Sequence, residues 1–335
     1  MNAKQIQELL EFGNFSSRVQ IHEMPQSGSN RSFYRIKEDK RSAVLIQAEP
    51  HDPNFTQYVE IAKFLREIGI GVPEIYYFDK KKKLILEEDL GTLSLQKYVA
   101  NTRVGAMRMS HLECYKKVID TLLFMQVIGG KKMVQCECLK EKIFNYDAFR
   151  WETQYFTHHF LEMYCGLKKL HLASLQQEFH QLAMKLVKEP LYFMHRDFQS
   201  KNILIKDGKV RIVDFQSAHQ GLLAYDLVSL LKDAYVSLKD ELQENLIDYY
   251  LDSLSKHWKI NLNPHKFNQI FLYAGLQRNM QALGAFSFLS LVKHKFQFAQ
   301  YIPRAFKHLY RGIQKTQEFV ELGRTIKIAK KKLFI

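Results

Sequence analysis

Tyr192-Phe193-Met194-His195-Arg196-Asp197-Phe198-Gln199-Ser200-Lys201-Asn202-Ile203-Leu204-Ile205 runs on into Lys206-Asp207-Gly208-Lys209-Val210-Arg211-Ile212-Val213-Asp214-Phe215. Residues 203–205 and 210–213 are short β-branched runs joined through Asp207-Gly208, a dipeptide that favours a tight hairpin. Pairing the two runs about that turn makes Asn202 and Asp214 neighbours. A carboxylate beside an amide oxygen is a hard-oxygen site suited to Mg²⁺, which takes few protein ligands and completes its shell with phosphate oxygens. Asp197 lies on the loop that leads into the first strand, within reach of a hydroxyl placed beside such a phosphate. Taken singly, each residue also has an ordinary reading: His195 as a core histidine, Asp214 as the cap of a strand end. The four positions together on one loop-hairpin frame favour the chemical reading.

The constellation resembles the catalytic segment of protein kinases, H-R-D-x-x-x-x-N, with Asp214-Phe215-Gln216 in the place of the magnesium-binding D-F-G. After Asp214 no long activation segment follows. Gly221-Leu222-Leu223-Ala224-Tyr225-Asp226-Leu227-Val228 opens a helix almost at once, with Ala224, Leu227, Val228 and Leu231 on one apolar face. That arrangement resembles the aminoglycoside phosphotransferase and choline kinase superfamily, whose members phosphorylate small hydroxylated molecules. The resemblance implies an α+β, protein-kinase-like two-lobed fold, with a small antiparallel-sheet N-lobe and a mainly helical C-lobe. It also implies ATP and Mg²⁺ as cofactors, Asp197 as catalytic base, Asn202 and Asp214 as metal ligands, and His195 and Asp226 as supports of the catalytic loop.

Working outward, residues 32–37 and 43–48 read as strands, 55–68 as an amphipathic helix, and 75–78 with 83–87 as a hairpin turning on Asp79 and the lysines. Beyond Leu90-Gly91 long helical periodicities take over, for example Tyr115, Val118, Ile119, Leu122 and Leu123. The expected division is residues 1–90 as the nucleotide-binding lobe and 91–335 as the helical lobe with catalytic loop and substrate pocket.

Several other stretches are similar to bacterial anomeric kinases of N-acetylmuramate and N-acetylglucosamine, enzymes of cell-wall sugar recycling. They are Ser27-Gly28-Ser29-Asn30-Arg31, Glu87-Glu88-Asp89-Leu90, Arg150-Trp151-Glu152 and Leu276-Gln277-Arg278. The small, hydroxyl-rich first stretch can turn backbone N–H groups toward phosphate oxygens, or serve as an ordinary turn. Glu87, Asp89 and Leu90 at the lobe junction would offer backbone groups to adenine. An indole such as Trp151 can cover a sugar face while Arg150 and Glu152 bind hydroxyls. The alternative for this helix is core packing plus a solvated face. Arg278 either approaches an acidic group of the substrate or pairs with a structural carboxylate. The lysine of the kinase V-A-I-K motif has no counterpart, since Val44-Leu45-Ile46 is followed by Gln47; Arg31, Arg35 and Lys37 are the candidate replacements.

The chain has 335 residues, 46% of them hydrophobic, enough for one large or two modest cores. Its four cysteines are few, and Cys136-Glu137-Cys138 lacks the spacing of common zinc or redox motifs, so free thiols are expected. The formal charge of +14 is spread along the chain rather than gathered in a nucleic-acid module, which argues against nucleic acid and fits a nucleotide partner. No apolar run is long enough to span a membrane, and the start lacks a signal-peptide core; a cytoplasmic protein with no membrane partner is expected. Other acceptors (an aminoglycoside, choline, an amino alcohol) and a non-catalytic nucleotide-binding regulator are the competing readings. Neither the oligomeric state nor ATP over GTP follows from these residues.

Overall fold

The computed structural model describes residues 12–13, 15, 19–25, 28, 31–100, 109–168 and 173–333. A five-stranded antiparallel sheet comes first, with strands β1 (Gln20–Glu23), β2 (Ser32–Glu38), β3 (Arg41–Gln47), β4 (Ile75–Asp79) and β5 (Leu84–Glu88) in the order β1-β2-β3-β5-β4. Alternation along β3 divides two cores: Ala43 and Leu45 face an outer cluster with Ile36, Leu84 and Leu86, while Val44 and Ile46 face inward. The β4–β5 turn is fixed by the Asp79 carboxylate, which accepts the backbone N–H groups of Lys81 and Lys82 at 2.9 and 2.8 Å. Strand β1 carries no apolar alternation and all four of its residues are exposed, which is why the sequence gives no sign of it.

Helix α1 (Phe55–Glu67) buries Phe55, Tyr58, Val59, Ile61, Ala62, Phe64 and Leu65. Its aromatic rings reach across to the other lobe, Tyr58 stacking on Phe215 at 4.8 Å and Phe64 on Phe193 at 6.2 Å. One continuous core therefore joins the sheet's inner face to the helical lobe.

That lobe contains α2 (Leu95–Ala100), α3 (His111–Phe124), α4 (Tyr146–Phe156), α5 (Leu175–Leu186), α6 (Leu223–Leu231), α7 (Asp240–Trp258), α8 (Pro264–Leu291), α9 (Ile302–Ile313) and α10 (Val320–Leu333). Ser110 and Glu113 close a capping box at the start of α3, and the predicted stripe from Tyr115 to Leu123 is buried. The long α8 is the lobe's axis: Pro264 sits in its first turn, Asn263 caps it, and it packs on α4, α6 and α9. Contact with α4 is close at Gly284, where a Cβ would come within 3.1 Å of the Phe156 backbone.

Set into this lobe are two small antiparallel pairs, β6 (Tyr192–Met194) with β9 (His219–Gly221) and β7 (Ile203–Lys206) with β8 (Lys209–Ile212). The second is the expected hairpin: Ile203 faces Ile212, Lys206 faces Lys209, and the turn residues Asp207 and Gly208 have φ of 53° and 71°. At the lobe junction Arg35 pairs with Asp89 at 2.7 Å, and Lys206 bonds Glu88 and the Asp89 carbonyl at 3.0 and 2.9 Å. Among the described residues no helix is long and apolar enough to cross a membrane. All four cysteines are free.

Candidate active site

The β7–β8 hairpin does to Asn202 and Asp214 what its register requires. Asn202 Nδ2 donates to Asp214 Oδ2 at 3.3 Å and to the Asp197 carbonyl at 2.9 Å, while the Val213 N–H donates to the Asn202 carbonyl at 3.0 Å. Asp214 holds a left-handed backbone conformation, φ 65°, as does Arg196 at 76°. Such non-glycine residues persist only where their surroundings over-determine them, and both lie on this one loop system.

The loop is tied down by Asp226 in the first turn of α6. Its two carboxylate oxygens accept the backbone N–H groups of His195 and Arg196 at 2.7 and 2.9 Å. Burial pushes the Asp226 carboxyl up, to about 7, against those two donors. The His195 ring is buried, its Nε2 3.1 Å from the Val213 carbonyl, and burial lowers its pKa, so it stands neutral between the two strands' ends. Asp233 adds a further anchor, accepting the Ser200 N–H at 2.8 Å.

Asp197 itself is partly open, its side chain 30% exposed. Burial alone would raise its pKa; the charges of Arg278 and Arg196 outweigh that and hold it below the ordinary value. The carboxylate is thus ionised and available at neutral pH.

Between the lobes lies a cleft of about 510 Å³ whose lining includes Gly28, Arg31, Glu87, Asp89, Leu90, Asn202 and Asp214. Those sequence-selected residues are brought together; Ser27, Ser29 and Asn30 lie outside the described residues. The Glu87 carboxyl turns inward, accepts the Tyr58 hydroxyl at 2.8 Å and is pushed up to about 8 by burial. Of the candidate cations, Arg31 and Arg35 line the cleft while each pairs with a carboxylate, Asp52 or Asp89, at 2.7 Å. Lys37 is exposed on β2, away from the cleft lining.

The donor set fits Mg²⁺. Besides the Asp214 carboxylate and the Asn202 amide, Gln216 Nε2 donates to Asp214 Oδ1 at 2.7 Å, and its Oε1 is buried without a hydrogen-bond partner. An orphaned amide oxygen beside a carboxylate is a ready third hard ligand.

The acceptor-side expectations separate. Trp151 is 50% exposed and stacks on Tyr155 at 4.9 Å, with the Arg196 guanidinium 5.9 Å from its ring. Arg150 turns away, bonding the Tyr146 hydroxyl and Gln176. Glu152 is fully buried, accepting from Tyr225 at 2.9 Å, Gln277 at 3.0 Å and Arg196 at 3.3 Å. A carboxylate so enclosed anchors Arg196 and has no face open to a sugar. Arg278 reaches Asp197 at 3.4 Å.

Sequence reasoning passed over Lys201 and took Gln216 only as the residue standing in the place of the D-F-G glycine. Lys201 lines the cleft and lies over the Tyr235 ring at 4.9 Å; burial works against its charge, yet Tyr235 and the Asp214 and Asp197 carboxylates hold its pKa above the ordinary value. Its place one residue before Asn202 was the available signal.

Residues 21–259 match the APH phosphotransferase enzyme family. The N-acetylmuramate/N-acetylglucosamine kinase of Pseudomonas aeruginosa is 26% identical over 301 residues, 88% of this chain and 84% of the relative. The enzyme of the same name from Neisseria meningitidis serogroup B is 26% identical over 304 residues, 87% and 85% of the two chains. Among solved structures, the choline kinase of Cryptosporidium parvum superposes with a TM-score of 0.66 at 12% identity, covering 97% of this chain and all of that one. ADP-bound aminoglycoside phosphotransferase APH(2'')-Ib gives 0.62 at 13% identity, over 96% and 99%. At such identities these two share the fold, while the match of the family across more than two thirds of the sequence settles membership: the chain belongs to the APH family of phosphotransferase enzymes.

Proposed function

We propose that the protein is an ATP- and Mg²⁺-dependent cytoplasmic sugar kinase that transfers a phosphoryl group to the anomeric hydroxyl of N-acetylmuramate, N-acetylglucosamine or both, the two-lobe division at residue 90 separating nucleotide from acceptor. The observation that carries the reading is an ionised, accessible Asp197 next to the Asn202–Asp214 pair, in a chain that the N-acetylmuramate/N-acetylglucosamine kinases of Pseudomonas aeruginosa and Neisseria meningitidis match over nearly nine tenths of its length.

In this reading Glu87, Asp89 and Leu90 offer backbone groups to the adenine, and Gly28, which lines the cleft, approaches the phosphates. Asn202 and Asp214, with Gln216, hold the metal, which when bound offsets charge on the phosphate oxygens. Arg31 and Lys201 stand in for the absent lysine at position 47. Asp197 accepts the proton of the attacking hydroxyl, and the Trp151 indole covers a sugar face.

A cationic acceptor such as choline or an aminoglycoside fits less well. Arg196, Lys201 and Arg278 surround Asp197, and each would repel an ammonium group brought to the base. ADP release measured with Mg-ATP and a panel of amino sugars, aminoglycosides and choline tests the reading. Turnover confined to the cationic acceptors, or none with any acceptor, would contradict it.

A further inference from the structure

The two oxygens of the Asp197 carboxylate are not equivalent. Oδ1 receives the Gln199 amide at 3.3 Å and the Arg278 guanidinium at 3.4 Å; among the described residues no hydrogen-bond donor is placed on Oδ2. Arg278 rises from the middle of α8 and is itself held from behind: Nε donates to Ser229 Oγ at 2.9 Å and Nη1 donates to Gln281. Its side chain is 7% exposed against 30% for Asp197. A guanidinium this enclosed needs a carboxylate partner, and it finds one through a single contact, Nη2 to Oδ1. The partner supplied here is the base itself.

We propose that Arg278 is the positioning residue of Asp197, fixing the rotation of the carboxylate so that Oδ2 is the oxygen presented to the acceptor. This rests on the phosphotransfer reading above. In the transfer step Oδ2 takes the hydroxyl proton, the hydroxyl oxygen bonds to phosphorus, and the bond from that phosphorus to the ADP oxygen breaks, its electron pair leaving with ADP. Throughout, Oδ1 stays on Arg278, whose charge favours the ionised carboxylate before the step. A second consequence concerns selectivity. Three of the five Arg278 N–H bonds are used, on Ser229, Gln281 and Asp197, and the side chain is only 7% exposed, so Arg278 is directed at the base rather than at a carboxylate on the acceptor, and acidic and neutral amino sugars meet the same base.

The test is steady-state kinetics with Mg-ATP and each amino sugar in the full-length protein, Arg278→Gln, Arg278→Lys and Ser229→Ala, with circular dichroism to establish that each variant folds. In Arg278→Gln kcat should fall on the order of ten- to a hundredfold with acceptor KM little changed, and Arg278→Lys, which restores the charge, should recover part of that loss. Ser229→Ala keeps the guanidinium and frees its back, and should lose less. The kcat/KM ratio of N-acetylmuramate to N-acetylglucosamine should stay constant throughout. A folded Arg278→Gln with parental kcat, a loss seen in KM alone, or a loss confined to the carboxylate-bearing sugar overturns the proposal. Turnover of another acceptor by the parent in place of these sugars would sink the substrate reading alone, and the same kcat comparison on that acceptor still decides the role of Arg278.

Discussion

Asn202 and Asp214, twelve residues apart in sequence, stand 3.3 Å apart, amide to carboxylate, because one two-residue turn folds the chain between them back on itself. The pair is the cheapest way to hold two hard-oxygen ligands in fixed relation. A hairpin needs no distant partner to set its register once the turn is fixed.

Asp214→Ala should therefore abolish turnover and weaken Mg-ATP binding more than binding of metal-free ATP, since the carboxylate supplies the site's negative charge. Calorimetric titration of both nucleotide forms checks this; equal losses for the two would argue against a metal role.

Asp197→Asn should lower kcat roughly 10²- to 10⁴-fold, as removal of a general base does, and leave nucleotide affinity unchanged. The base faces the acceptor, and the cleft lining does not include it. Steady-state kinetics paired with nucleotide titration separates the two effects, and a near-normal kcat would remove Asp197 from its role.

Asp226→Asn replaces one acceptor oxygen with a donor, so one of the His195 and Arg196 N–H groups loses its partner in a buried site. That costs about 1–3 kcal/mol. Denaturant unfolding should report the loss, together with a drop in kcat as the loop carrying Asp197 loosens. A variant as stable and active as the parent would show the brace to be dispensable.

Glu87 gives a pH signature. Its folded pKa of about 8 lies above that of an exposed glutamate, so the folded state binds the proton more tightly than the unfolded chain does. The stability it supplies is full below the unfolded pKa and is lost as pH rises through about 8. Glu87→Gln, whose amide oxygen still accepts from Tyr58, should match the parent near pH 4 and melt a few degrees higher near pH 9. Thermal melts across that range check the sign; a variant less stable at high pH would contradict it.

Much of this site was legible in sequence because its geometry is local. Asp207-Gly208 announces the hairpin, and the hairpin places Asn202 and Asp214. The strand at β3 and the helix at α6 were equally readable as apolar segments, although burial goes further than their pattern: four consecutive residues of β3 and every residue of α6, Asp226 included, are enclosed. The acceptor side was less so. Glu152 looks like a surface acid on a polar helix; only the packing of α4 against α6 and α8 buries it among Tyr225, Gln277 and Arg196. Arg150 turns toward Gln176, a partner twenty-six residues away on α5 that no local pattern indicates. Gln216 reads as a departure from D-F-G, and its orphaned Oε1 beside Asp214 emerges only in three dimensions.

The central claim is phosphoryl transfer to an anomeric hydroxyl, and the product distinguishes it. Purified protein with Mg-ATP and either N-acetylmuramate or N-acetylglucosamine, followed by ³¹P NMR, should accumulate a sugar 1-phosphate, recognisable by its acid lability, as ATP converts to ADP. A 6-phosphate, or loss of ATP only when a cationic acceptor is present, would contradict the account.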